Sequence, residues 1–179
     1  MIIFMGVAGA GKSVQGNLLA QHLGYEWLST GEYLRNNINP SRRQEMLEGK
    51  LLDDGEIIDI MEDFFAGIKD KTRCVLDGFP RTLTQAKWLF DKHKNGSVEI
   101  GTVVFLKASK EVVRKRLLSR GRPDDTAEAL DKRFEEYEKL TLPIIDWFKH
   151  QGVAVYEMNA ERTVEEIQKD IISKVTEKE

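Results

Sequence analysis

Cysteine is nearly absent from this chain: Cys74 is the single one among 179 residues. One thiol excludes an internal disulfide framework and a multi-cysteine zinc site. No apolar run approaches the ~20 residues of a membrane-spanning helix. The opening stretch MIIFMGVAGAGK has no basic leader and passes straight into a glycine motif, so it does not read as a signal peptide. Positive charge is not in excess either. Lys and Arg number 27 against 30 Asp and Glu, a net charge of -3. That balance argues against partnership with nucleic acid or an anionic membrane, so any anion handling must come from local clusters of Arg and Lys. Internal repeats, low-complexity tracts and long Pro/Ser linkers are missing as well. Hydrophobic residues make up 41%, which argues against a disordered chain. Charged residues make up 32%, above the usual ~25%, and point to solvated helical faces. The expectation is one soluble, cytoplasmic domain over residues 1–179.

What the chain does have is an alternation of short β runs and helical segments. Strands are predicted at 1–5, 25–29, 73–77, 102–106 and 153–157. Helices are predicted at 12–23, 82–93, 109–120 and 163–176, with 31–70 mostly helical but broken around Asn39-Pro40 and Gly49. A long helix is expected from about 126 to 149, perturbed by Pro143. This order implies βαβ units and a parallel sheet covered on both faces, an α/β fold. Ligands on such sheets sit at the carboxyl ends of the strands. The segments that follow the strands therefore take priority: GVAGAGKS, TGEYLR, GFPRT, KAS and MNAERT.

The first of these, Gly6 to Ser13, fits G-x-x-x-x-G-K-[ST] between an apolar strand and a helix. Small residues let backbone N–H groups curl around a phosphate, and the helix that follows points its positive end at the same place. Lys12 supplies a mobile charge to the β/γ-phosphates, and the Ser13 hydroxyl can reach Mg²⁺. A glycine-rich turn without function is a poor competitor, because the motif is complete. Nucleotide binding follows, although the motif alone does not separate kinases from NTPases. Phosphoryl transfer needs two mutually repelling anions held in line, hence several converging cations. Lys12, Arg35, Arg81, Arg116, Arg120, Arg122 and Arg133 are the candidates, and Arg suits bidentate phosphate contacts.

Further motifs extend the pattern: STGEYLR at 29–35, GKLLDD at 49–54, LDGFPRTLTQA at 76–86, RLLSRGRPDD at 116–125 and DKRFEEY at 131–137. On these and GVAGAGKSVQ at 6–15, the chain resembles the adenylate kinase family of nucleoside monophosphate kinases over essentially its whole length. The resemblance implies a P-loop core with five parallel strands, a nucleotide-monophosphate flap at about 30–59 and a short lid at about 115–125. It implies the reaction ATP + AMP ⇌ 2 ADP with Mg²⁺ and without zinc, catalysed by a monomer. Carried over motif by motif, Thr30, Arg35, Lys50, Leu51, Leu52, Gly78, Phe79, Pro80, Arg81 and Gln85 would form the AMP site. Gly9, Ala10, Gly11, Lys12, Ser13, Val14, Arg116 and Arg120 would hold ATP, with the Arg162 backbone beside its adenine. Arg122 and Arg133 would reach the phosphates from the lid. Asp77, with Ser13, would orient Mg²⁺ through water.

Each assignment has a plainer competitor. Arg116, Arg120 and Arg133 could lie on solvated helix faces beside Glu111, Glu128 or Glu136. Asp77 could simply cap a turn, and Gln85 could sit on a helix surface. Asp124 and Asp125 read as caps of the helix that begins near Thr126, with Asp125 and Glu128 resembling a capping box. Cys74 reads as a core thiol, His22, His93 and His150 as surface residues, and Trp27, Trp88 and Trp147 as packing residues. The chain also departs from the family pattern. Val14 stands where the family carries Thr, the stretch from Arg35 to Gly49 is short, and only Gly121 separates Arg120 from Arg122. A UMP/CMP kinase, another small-molecule P-loop kinase, a non-catalytic nucleotide-binding module and an NTPase switch stay open at this point.

Overall fold

The computed structural model describes residues 1–37, 53–68, 70–122 and 125–177. Five strands form one sheet: β1 (Ile2–Met5), β2 (Glu26–Ser29), β3 (Cys74–Asp77), β4 (Thr102–Lys107) and β5 (Ala154–Asn159). All pairings are parallel, in the order β2-β3-β1-β4-β5. From β1 the chain goes first to the edge at β2, returns to β3 beside β1, then crosses over β1 to build β4 and β5 on the other side. The crevice at that reversal lies beyond the carboxyl end of β1, where the glycine motif begins. The α/β fold agrees with the reading of the sequence.

Alternation along β1 explains why both faces of the sheet need cover. Ile3 and Met5 enter one cluster with Leu76, Val103 and Phe105, while Ile2 and Phe4 enter the other with Val75, Val104 and Leu106. A strand buried on both faces reads as a continuous apolar run, as IIFM does. The first cluster is closed by α3 (Asp54–Ala66), α4 (Leu83–Lys94) and α7 (Leu142–His150), through Met61, Phe65, Leu89, Ile144 and Phe148. The second is closed by α1 (Lys12–Leu23), α5 (Lys110–Arg120), α6 (Ala127–Glu136) and α8 (Val164–Thr176), through Leu19, Val113, Phe134 and Ile171. In α1, a Cβ on Gly16 would run into the Trp27 ring, so the missing side chain lets α1 lie directly on β2. Helix α2 (Thr30–Asn37) starts one residue after β2 ends.

Several expectations need adjusting. Strands β4 and β5 extend one and two residues beyond the predicted ends. The expected breaks at Asn39-Pro40 and Gly49 lie outside the described residues. The long helix is instead α6, a π-helical turn at Tyr137–Thr141, and α7. Pro143 has no N–H to donate and crowds the carbonyl four residues back in an α-helix. The wider turn precedes it, with the Leu142 N–H reaching the Tyr137 carbonyl. Helix α6 is capped by Thr126, whose hydroxyl accepts from the Ala129 N–H at 3.2 Å. Asp125 is therefore not the cap, and the Asp125–Glu128 capping box does not form. His93 is half-buried rather than at the surface, and its Nδ1 accepts the Ile100 N–H at 3.3 Å. The three tryptophans do pack against the two clusters.

Cys74 is fully buried in β3, and burial pushes its thiol up to about 11. Burial disfavours the thiolate, which is the reactive form, so only about 10⁻⁴ of the thiol is ionised at neutral pH. Titration with an aromatic disulfide at pH 7 should find no reactive thiol in the folded protein and one after unfolding in guanidinium. Rapid labelling of the folded form would contradict the packing of β3.

Candidate active site

A cavity of about 540 Å³ opens at the carboxyl end of the sheet. Four of the five segments that follow strands line it: the glycine loop, Thr30 to Leu34, Asp77 to Arg81, and the Ala160 to Val164 stretch. Lys107 to Ser109 do not; the Lys107 ammonium turns away to Glu157, at 3.1 Å. Gly9, Ala10, Gly11, Lys12, Ser13 and Val14 all reach the cavity, and so do Arg116, Arg120, Arg122, Arg133 and Arg162. Thr30, Gly78, Phe79, Pro80, Arg81 and Gln85 line it from the other side. The structure thus brings most of the candidates around one space. Lys50, Leu51 and Leu52 lie outside the described residues, as does the Arg35 side chain.

Backbone geometry makes the floor. Gly9 has φ +84°, and a Cβ there would meet Leu117 Cγ at 2.8 Å. Gly78 has φ +88°, and a Cβ would stand 2.5 Å from the Thr30 hydroxyl oxygen. Only glycine satisfies both the left-handed backbone and the close approach. The Thr30 hydroxyl then donates to the Asp77 carbonyl at 3.0 Å, which ties the segment after β2 to the segment after β3.

The charged groups are arranged as cations held by internal counter-charges. The Lys12 ammonium folds back to donate to the Gly6 and Val7 carbonyls at 2.9 and 3.0 Å. Burial holds it below the ordinary lysine value; Asp77 opposes that shift, and the neighbouring positive charges of Arg81 and Arg120 add to it. The Ser13 hydroxyl donates to Asp77 Oδ2 at 2.6 Å, while Asp77 Oδ1 is buried and has no hydrogen-bond partner among the described residues. An orphaned carboxylate oxygen beside a hydroxyl fits a hydrated Mg²⁺, which takes one or two carboxylates and keeps several waters. No group of three or more His, Cys, Asp or Glu that could hold a metal occurs among the described residues. A metal here would complete its shell with water and phosphate oxygens.

The lid-side arginines meet at a residue that the sequence had marked as a helix cap. Asp125, with a side chain 1% exposed, accepts from Arg120 Nε at 2.8 Å and from an Arg120 terminal nitrogen at 2.6 Å. It also faces Arg133 at 3.5 Å and accepts the Arg122 N–H at 3.2 Å. Arg120 and Arg133 therefore do not merely sit on solvated faces. Arg116 donates to the Ala160 carbonyl at 2.8 Å, and Arg162 pairs with Asp170 at 2.7 Å. Arg81 Nε donates to the Gly78 carbonyl at 2.8 Å.

Gln85 is buried at the cavity rather than on a helix surface. Its amide is not wholly available to a base: Oε1 accepts the Arg81 N–H at 2.8 Å, and Nε2 donates to Asp54 Oδ1 at 2.8 Å. One N–H and one lone pair of the amide stay unspent by these two bonds. Apolar lining residues were also missed, among them Tyr33 and Leu34 on α2 and Ile57, Ile60 and Met61 on α3. The 57-60-61 spacing of one helical face, just after GKLLDD, was the available signal.

Removing the Asp125 carboxylate should release Arg120 and Arg133 from each other. Breaking a buried ion pair costs about 3–5 kcal/mol. Arg120 is 34% exposed, so solvent screening lowers the expected loss to about 1–3 kcal/mol. Asp125→Ala should lower the denaturation midpoint accordingly and speed hydrogen exchange in α5 and α6. Unchanged exchange there would show that the carboxylate does not hold the two helices.

Comparison with known proteins agrees with this geometry. The profile of the family described as Adenylate kinase matches residues 4–153. The chain is 36% identical over 180 residues to an adenylate kinase of Prochlorococcus marinus (strain AS9601), covering 97% of each. It is 35% identical over 172 residues to adenylate kinase 1 of Nostoc sp., covering 93% of each. With an adenylate kinase of Leptospira biflexa it shares 34% over 184 residues, which is 97% of this chain and 98% of that protein. A complete G-x-x-x-x-G-K-S loop, cations gathered from five segments around one cavity, and likeness along nearly the whole chain lead to one conclusion: this chain belongs to the adenylate kinase family.

Proposed function

We propose that the protein transfers the γ-phosphoryl group of ATP to AMP, reversibly, giving two ADP. The observation that carries this reading is the convergence of Lys12, Arg81, Arg116, Arg120, Arg122 and Arg133 on one cavity that opens over the glycine loop. A single nucleotide needs fewer cations; two polyanions held in line need this many, on both sides of the transferred group. An oxygen of the AMP phosphate attacks the γ-phosphorus, and the β–γ bridging oxygen leaves with ADP. The attacking phosphate is already ionised, so no general base is required.

In this reading the residues divide by side. Gly9 to Val14 cradle the ATP phosphates, with Arg116 and Arg120 beside them and the Arg162 backbone against the adenine. Lys12 and Arg81 stabilise charge on the moving group, and Arg122 and Arg133 reach it from the lid at about 115–125. Thr30, Arg35, Lys50 to Leu52, Gly78 to Arg81 and Gln85 hold AMP within a flap at about 30–59. Mg²⁺ supplies charge neutralisation to the triphosphate, with Ser13 and Asp77 the residues that would hold its shell. The reading includes no zinc, and a monomer acting in the cytoplasm. No helix among the described residues is long and apolar enough to cross a membrane.

A coupled ADP-production assay with AMP, UMP, CMP, GMP and no acceptor tests the reading. ADP formation should require AMP and Mg²⁺. Equal use of UMP or CMP would withdraw the AMP assignment, and release without acceptor would indicate hydrolysis. Lys12→Ala and Arg81→Ala should each lower kcat by about 10²–10³-fold, the scale for losing one charge-stabilising contact, while keeping a cooperative melt. Near-native kcat in either variant would remove it from the reacting centre.

The depressed Lys12 value gives a pH dependence with a definite sign. Its proton is lost below the ordinary lysine value of 10.5. A bound triphosphate favours the charged form, so affinity is complete at low pH and is lost as pH rises through the free-site value. Calorimetric titration with ATP between about pH 7 and about pH 10 should show weakening before ordinary lysines titrate. Lys12→Ala should flatten that profile; an unchanged slope would assign it to another group.

A further inference from the structure

We propose that Asp54 is a positioning residue that fixes which way round the Gln85 amide meets the acceptor base, and so selects a 6-aminopurine over a 6-oxopurine. The proposal rests on the reading of this cavity as an AMP site. Gln85 lines the cavity and is 2% exposed, whereas Asp54, at the start of α3, stands outside the lining. A glutamine amide is almost symmetric in shape, and a half-turn about its last bond exchanges a donor for an acceptor. Two groups of opposite kind prevent that exchange. The Arg81 N–H, 2.8 Å from Oε1, can only donate. The Asp54 carboxylate oxygen, 2.8 Å from Nε2, accepts and has nothing to donate. A flipped amide would place oxygen against oxygen and N–H against N–H.

Asp54 is itself held in place. The same Oδ1 accepts the Thr82 hydroxyl at 2.7 Å, and that hydroxyl oxygen accepts the Gln85 N–H at 3.3 Å. The remaining amide lone pair and N–H are therefore presented in a fixed order. An adenine edge offers an amino donor and a ring-nitrogen acceptor; hypoxanthine offers a carbonyl acceptor and a ring N–H donor. The fixed amide matches the first and opposes the second, and the flipped amide does the reverse.

The test measures kcat and KM for AMP and for IMP, with ATP as donor. The native enzyme should prefer AMP by at least about tenfold in kcat/KM. Asp54→Ala should cut that ratio at least about fivefold, chiefly through a higher KM for AMP and a lower one for IMP, with the KM for ATP unchanged. Asp54→Asn can donate as well as accept, so it no longer forbids the flip and should lower the ratio in the same direction. In a Gln85→Ala background, Asp54→Ala should change the ratio no further. If Asp54→Ala loses its cooperative melt, Asp54→Ser is read in the same way, being too short to reach Nε2. A ratio unchanged by the loss of Asp54 overturns the proposal. So does an equal fall for both acceptors, or the same fall without Gln85. Failure of the native enzyme to phosphorylate AMP would overturn the underlying reading and this proposal together, whereas a selective native enzyme with an indifferent Asp54 overturns this proposal alone.

Discussion

Like charges must be brought close together before the ligands that neutralise them arrive, and the rest of the structure is arranged around that constraint. Lys12, Arg81 and Arg120 are near enough for each arginine to depress the lysine. Left unbalanced, such a cluster would oppose folding of the cavity walls. The protein answers with carboxylates placed behind the cations: Asp77 beneath Lys12 and Ser13, and Asp125 between Arg120 and Arg133. Asp77 ends β3, and Asp125 stands immediately before the Thr126 cap of α6, so both are tied to packed elements. Pairs of this kind seldom add much stability over an apolar replacement, so their value is positional. They keep guanidinium groups turned toward one cavity.

That aim depends on the sheet. Because β1 is central and buried on both faces, the glycine loop leaves a strand buried along its whole length. Thr30 and Asp77 then tie the ends of β2 and β3 together across a glycine that no other residue can replace. Binding groups carried on neighbouring strand ends inherit the spacing of the sheet, which is why so few hydrogen bonds suffice to place them.

Legibility in the sequence followed sequence distance. The loop from Gly6 to Ser13 was readable because its chemistry lies within eight adjacent residues and depends only on local backbone shape. The alternation of strands and helices followed from periodicity in the same way, whereas the order of the strands in the sheet came only with the fold. Asp125 was misread because an Asp before a helix is most often a cap; only the fold shows that Thr126 takes the cap and frees Asp125 for two arginines. Gln85 was recognised, but its partner Asp54 lies 31 residues earlier on another helix, beyond the reach of spacing arguments. The π turn was foreseen only as a disturbance near Pro143, since proline marks where a helix must yield but not how.

The π turn has a geometric effect at a distance. Residues along an α-helix advance by about 100° each, so one extra residue accommodated in a single turn rotates everything on one side of it against the other by about that angle. Arg133 lies upstream of the turn and faces the cavity; Thr141 lies at its end, and its hydroxyl donates to the Arg81 carbonyl at 2.8 Å. On an uninterrupted helix these two, eight residues apart, would stand about 80° from each other, and the extra residue in the turn brings them to within about 20°. The turn acts as a phase shifter, letting one continuous rod place Arg133 at the cavity and brace the Arg81 backbone at once.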